Sequence, residues 1–404
     1  MPELVPFRGL RYADAGTLDA VTAPPYDVID PEHRDRLAAA DPHNSVRLIL
    51  PEGDDPYQGA ATLLETWVAD GTLVIDERPT VTVYRMTYPD GDGTRTTIGV
   101  LGALILPERI EDGEVLPHER TLPKAKTDRL DLLRATRANL DPIWGLCPTP
   151  GLSATLAAVT ASPAQARAVD EIGVVHEAWT LADPAAIEAV RAAVSAEPLV
   201  LADGHHRFET ALAYRAERAT GDPGADAIMC LVVELADEQL VVHAIHRLVH
   251  DLPADIEARL ARTCELEDAG ANTPEAVTAL RNRLRRAGGI GLVLRDRLLR
   301  LVPRPDALAA ARAELPTSLH EVSSAHFDAL VRPALGDATL SYRNDASACA
   351  AMVAAGAADA AIILQPVSVE TIRAAGRAGV RMPEKTTFFW PKPRTGIVFR
   401  RLDD

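Results

Sequence analysis

The stretch Pro198-Leu-Val-Leu-Ala-Asp-Gly-His-His-Arg-Phe-Glu-Thr-Ala-Leu-Ala-Tyr-Arg215 commits the chain to a strand, a sharp turn and a helix in immediate succession. Leu199 to Ala202 is an apolar run, Asp203-Gly204 is the turn, and Phe208, Ala211, Leu212 and Arg215 recur on one helical face. Such a junction suits anions. The first N–H groups of a helix lack intrahelical partners, and a glycine lets the main chain approach a phosphate closely. Arg207 adds a planar, two-pronged donor, while His205 and His206 gain charge near neutral pH. Asp203, Gly204, His205, His206 and Arg207 are therefore expected to bind a phosphate compound. The plain alternative is a surface helix capped by Asp203, with solvated histidines.

At 404 residues the chain is longer than one core usually serves, which predicts two domains or one domain with a large insertion. A hydrophobic content of 47% with 4% aromatics fits a globular protein with a sizeable core. The 42 Lys and Arg against 58 Asp and Glu give a formal charge of −16, which repels a nucleic-acid backbone and makes nucleic acid an unexpected partner. Cys147, Cys230, Cys264 and Cys349 are widely spaced, so neither a disulfide framework nor a zinc knuckle is indicated. The N-terminus carries no apolar signal region, and no apolar run reaches the ~18 residues of a membrane span. A cytoplasmic protein is expected, with a homodimer as its candidate assembly.

The expected organisation is a phosphate-binding core over 1–252, an inserted or second α/β domain over 253–335, and an α/β segment over 336–404 that returns to the site. Val81–Tyr88 and Thr96–Leu106 read as a hairpin around Gly91-Asp92-Gly93. Thr127 is the expected N-cap of a helix, Ala154–Ala168 and Ala185–Ala196 read as Ala-rich helices, and Met229–Val233 with Leu240–His246 as paired strands. Ile290–Leu294 and Leu299–Val302 read as strands of the second domain.

Three further clusters carry chemistry. In Ala23-Pro-Pro-Tyr-Asp-Val-Ile29 two prolines stiffen a loop that presents Tyr26 and Asp27. Asn44 and Arg47, read as entering a strand, are assigned with Tyr26 and His118 to substrate binding. Pro117–Arg129 gathers Arg120, Lys124, Lys126 and Arg129 into an anion clamp, with a solvated charged face as the alternative. Lys385 and Lys392, with Arg394 nearby, flank Phe388, Phe389 and Trp390 near the C-terminus. The set of phosphate contacts is thus Asp203 to Arg207 with Lys124, Lys126, Arg129, Lys385 and Lys392.

The sequence has no P-loop, no Rossmann GxGxxG at a strand-to-helix junction and no GxSxG elbow. Phosphoryl chemistry without a P-loop relies on charge neutralisation and positioning, with one carboxylate acting on the acceptor hydroxyl. Asp27 and Glu119 are the expected bases, Asp203 a further carboxylate to weigh, and His206 the catalytic group beside the donor. His205 or His206 with Glu209 has the spacing of two metal ligands, but Arg207 between them repels a cation, so no dedicated metal site is expected. Magnesium carried by the phosphate donor is expected instead.

Ala-Pro-Pro-Tyr-Asp-Val-Ile at 23–29, His118-Glu119 to Asp128-Arg129, Ala-Asp-Gly-His-His-Arg at 202–207 and Met-Pro-x-Lys-x-Thr-x-Phe at 382–389 together resemble the bacterial and archaeal family DUF 1015, along nearly the whole chain. The Asp-Gly-His-His-Arg box is also similar to the phosphate box of the ParB and sulfiredoxin superfamily, and more closely to that of free L-serine kinases. The resemblance implies a mixed α/β fold with a ParB/sulfiredoxin-like core. It implies ATP, ADP or pyrophosphate as donor, Gly204, His205, His206 and Arg207 on its phosphates, and a kinase acting on a small hydroxyl acceptor, with free L-serine foremost. The alternative it leaves is a ParB-like nucleotide-binding regulator without kinase activity.

Overall fold

The computed structural model describes residues 1–403 apart from 91–92, 111–112, 118–123, 219–221 and 237, together with all their side chains except those of 124–126 and 223. No described helix is long and apolar enough to cross a membrane. Two compact units emerge: Met1–Pro117, Thr121–Val241 and Pro391–Asp404 form the first, and Val242–Trp390 forms the body of the second.

The first unit is a mixed α/β structure on a 9-stranded sheet. Its strands are β1 (Leu4–Val5), β2 (Val81–Asp90), β3 (Gly93–Ile105), β4 (Val115–Pro117), β5 (Ile143–Cys147), β6 (Ala166–Val169), β7 (Val175–Leu181), β8 (Leu199–Asp203) and β9 (Ala227–Glu234). The order is β4-β8-β5-β9-β3-β2-β7-β6, with β1 added to β3. Most pairs are antiparallel, but β8 runs parallel to β4, and β9 parallel to β5. The β2–β3 hairpin is present as expected, although 91–92 of its turn lie outside the described residues.

Helix α1 (Lys124–Thr136) and helix α2 (His205–Glu217) both belong to this unit. Phe208 and Ala211 of α2 are buried with Ile143, Leu199, Leu201 and Ile228 of the sheet. Each large apolar side chain so buried contributes about 1.5–3 kcal/mol, which seats α2 on the strand that precedes it. Arg215, on the same face, donates to the carbonyls of Leu106 (2.8 Å) and Pro107 (2.6 Å) and ties the end of the helix down.

A smaller 4-stranded sheet joins distant parts of the chain: Leu73–Ile75, Gly9–Tyr12, Phe399–Arg401 and Ala138–Asn139 lie side by side. Next to it, Ala23 and Thr395 exchange backbone hydrogen bonds of 3.1 and 2.8 Å. The proline loop and the C-terminal segment are thereby laced together.

Several expected elements are corrected. Met229–Val233 does not pair with Leu240–His246, because β9 is already flanked on both sides by β3 and β5, and Val241–Ala244 pairs with Thr387–Trp390. The Ala-rich run Ala154–Ala168 stops being α-helical at Ala157, passes Pro163 and turns into β6, whose cross-strand partner β7 decides what alanine alone leaves undecided. Helix α1 starts at Lys124, before Thr127, and Arg47 lies on the short helix Val46–Ile49, with Asn44 just ahead of it, where a strand was expected.

The second unit is built on a 6-stranded sheet in the order Cys264–Ala271, Arg297–Pro303, Ile290–Val293, Ala360–Ile363, His246–His250 and Thr339–Arg343. Strands from before 252 and after 335 share this sheet, so both expected breaks fall inside the unit.

Candidate active site

The site grows from the end of β8. Opposite β5 the register shifts between Leu201 and Asp203, a bulge that re-aims the last side chain of the strand. Gly204 follows at φ 83° and ψ 26° and is the N-cap of α2. A Cβ at this position would meet Ile143 at 2.9–3.1 Å, so the turn requires glycine both for its backbone conformation and for its contact. The first intrahelical bond is Phe208 N to Gly204 O at 2.9 Å, which leaves the amides of His205, His206 and Arg207 on the first turn, ahead of the ladder.

Asp203 does not cap the helix. Its carboxylate accepts from Lys392 Nζ through Oδ1 and from Arg207 Nη2 through Oδ2 (2.9 Å), while Arg207 Nη1 donates to the Pro142 carbonyl. All three side chains are largely buried. Burial pushes the Asp203 carboxyl up, but the ammonium of Lys392 and the guanidinium of Arg207 outweigh it and hold the group well below the usual carboxylate range.

Beside this ion pair lies Asp141, buried, with Oδ1 accepting from the Thr395 hydroxyl. Burial is the main cause that pushes its carboxyl up to about 6; Arg207 and Arg129 pull it down, and the charges of Asp27 and Asp203 raise it further. Tyr26 stands over the same group, with Arg129 Cζ at 4.3 Å and Arg207 Cζ at 5.9 Å from its ring centroid. Burial, then the charge of Asp27, pushes its hydroxyl up to about 12. Arg129 is anchored to the Ile49 carbonyl (2.8 Å) and to Asp128 (2.6 Å).

The structure therefore gathers Tyr26, Asp27, Arg129, Asp203, Gly204, Arg207 and Lys392 in one unit, with His205 and His206 half-buried at the head of α2. Asp27 is exposed at the rim. Asn44 is corrected: it is fully buried, its amide donating to Ala20 O (2.6 Å) and Thr22 O (3.3 Å) and its oxygen accepting from Val46 N (2.9 Å), so it braces the backbone out of reach of a solvent-borne substrate. Arg47 donates through Nη2 to the Ala38 carbonyl (2.6 Å) and lines a separate cleft with Arg34 and Glu52. Lys385 belongs to the second unit, where it sits at φ 57° with its carbonyl accepting from Arg247 (3.1 Å). His118 and Glu119 lie outside the described residues, and Lys124 and Lys126 open α1 with side chains outside them.

Asp141 and Thr395 are the members the sequence reading missed. An acidic residue before proline inside the apolar run Ala138–Trp144 was the available signal for Asp141. Thr395 gave none, since only the pairing with Ala23 brings it in. Among the described residues no group of three or more His, Cys, Asp or Glu is placed to hold a metal ion.

Asp141 also makes a pH prediction. Its folded-state value of about 6 exceeds the ordinary 3.8, so the folded state holds the proton more tightly and stability falls as pH rises between those values, by about 3 kcal/mol. Asp141→Asn keeps an oxygen for Thr395 and removes the titration. Urea unfolding is expected to find the variant more stable than the parent by a margin that grows from pH 4 to 6 and reaches about 1–3 kcal/mol above pH 6. A slope identical to the parent's would assign the titration elsewhere.

Comparison with known proteins places this geometry in context. No curated protein matches the sequence. Among solved structures, a conserved hypothetical protein from Pyrococcus furiosus is similar at 13% identity and TM-score 0.40, over 76% of this chain and 96% of that one. A free serine kinase in complex with AMP is similar at 14% identity and TM-score 0.38, over 72% of this chain and 86% of that one. SbnI from Staphylococcus aureus, truncated at its C-terminus, follows at 13% identity and TM-score 0.36, over 74% and 86%. The model of one family, described as protein of unknown function (DUF1015), matches residues 4–325, and the chain belongs to that family.

Proposed function

We propose that the first unit is a phosphotransferase that moves a phosphoryl group from ATP, ADP or pyrophosphate to a small hydroxyl compound, with free L-serine the leading acceptor. The observation that carries this reading is the convergence, at the head of α2, of a glycine turn, two histidines, the buried cations Arg207 and Lys392 and the carboxylates Asp27, Asp141 and Asp203. Gly204, His205 and His206 receive the donor phosphates on the first-turn amides and imidazoles. Arg207 and Lys392, whose charge Asp203 only partly offsets, neutralise the group in transfer. Asp27, exposed at the rim within the field of Arg207, takes the proton as the acceptor oxygen bonds to phosphorus and the bond to the leaving phosphate breaks. Magnesium would arrive on the phosphates, since the described side chains form no cage for it. The acceptor assignment rests on the Asp-Gly-His-His-Arg box, which has the form found in free L-serine kinases.

Phosphorus NMR of the protein with magnesium, L-serine and each donor in turn tests the reading. A phosphoserine resonance with one donor is the expected result. Donor broadening without product from any hydroxyl acceptor would overturn the transferase and leave a nucleotide-responsive regulator.

A further inference from the structure

Six threonines on or at the end of helices in this protein share a habit that Thr210 lacks. Thr22, Thr62, Thr66, Thr136, Thr155 and Thr278 each donate their hydroxyl to the carbonyl four residues back, at 2.6–3.0 Å. Thr210, in the middle of α2 and 3% exposed, does not: its Oγ1 is buried with no hydrogen-bond partner among the described residues. Arg207 Nε is in the same state, although both terminal nitrogens of that side chain are engaged. Positions three apart share one helical face, and both residues line one open cleft. Leaving a buried donor unpaired costs about 1–3 kcal/mol, and Thr210 had a local carbonyl within its ordinary reach.

The geometry points to this cleft as a binding site for a small hydroxy acid, a molecule with a short carbon body and hydroxyl and carboxylate oxygens. The walls are mostly apolar, from Ile49, Leu132, Leu140 and Ile228, which suits a short carbon chain. Arg207 Nε offers a donor, and Thr210 Oγ1 can donate or accept. Arg129 and Arg207 both line the cleft, each paired at one end with Asp128 or Asp203, and can receive the carboxylate of a hydroxy acid. Resting on the transferase reading, the occupant is the acceptor, and the class it belongs to is a short hydroxy acid, with or without the amine that serine carries.

Saturation-transfer NMR with glycolate, lactate and glycerate as probes, on the full chain and on Thr210→Val, decides the matter. Valine matches the shape of threonine and removes only the unpaired hydroxyl, so the variant is expected to fold with equal or higher Tm. The expected result is transfer to at least one probe in the parent and a loss of at least tenfold in affinity in Thr210→Val, with pyrophosphate broadening the same in both. No transfer to any probe, or equal transfer in both proteins, overturns the proposal and leaves the cleft to solvent. Pyrophosphate binding is read separately: its absence alongside intact hydroxy-acid transfer would defeat the phosphate reading and keep this one.

Discussion

Arg207→Ala is expected to abolish phosphate binding and also to lower stability by about 3 kcal/mol, because the side chain is part of the buried frame as well as of the site. Its guanidinium closes Asp203 at 2.9 Å and caps the Pro142 carbonyl, and both lose that partner in the alanine variant. Lys392 remains on Asp203, which limits the cost. Acid unfolding offers the sharper measurement. The native Asp203 carboxyl lies below its unfolded value, so its contribution is present above the ordinary carboxylate range and is lost as pH falls through the folded value. Without Arg207 that folded value rises, and the acid midpoint is expected to move to higher pH. An unchanged midpoint would show that Lys392 alone sets the charge of Asp203.

Gly204→Ala should be equally severe for a different reason. A residue with a Cβ at φ 83° costs about 1–2 kcal/mol, and here the new methyl also meets the Cα, Cβ and Cγ2 of Ile143 at 2.9–3.1 Å. Ile143 is fully buried in β5, so it cannot step aside, and the start of α2 must shift instead. A total of about 3 kcal/mol is expected, together with loss of phosphate binding. Gly151→Ala supplies the matched comparison: that glycine is also a left-handed N-cap, at φ 106°, with nothing within 4 Å of the added methyl. Chemical denaturation of the two variants should differ by the contact with Ile143, about 1–2 kcal/mol. Equal losses would refute the packing argument at Gly204.

The local element at the heart of the site was legible because its signals are short-ranged. An apolar run, a glycine turn and an apolar helical face at 198–215 specify β8, Gly204 and α2 with no help from elsewhere. Ala-rich segments were not legible in the same way. Alanine suits helix and tolerates strand, so Ala166–Val169 became β6 only when β7 offered it a hydrogen-bonding edge. Likewise Asn44 reads as a polar group next to a basic one, and only the fold shows it turned inward to brace Ala20 and Thr22.

The sequence by itself determined the strand–glycine turn–helix junction at 198–215, the mixed α/β class and the family. Tertiary structure decided which charges act together: the Ala23–Thr395 pairing carries Tyr26 and Asp27 toward Lys392, and it delivers the Thr395 hydroxyl to Asp141. Residues hundreds of positions apart in sequence share no local signal. Their meeting depends on sheet pairing and core closure, and the pKa of each group is then set by the neighbours and the burial that this closure imposes.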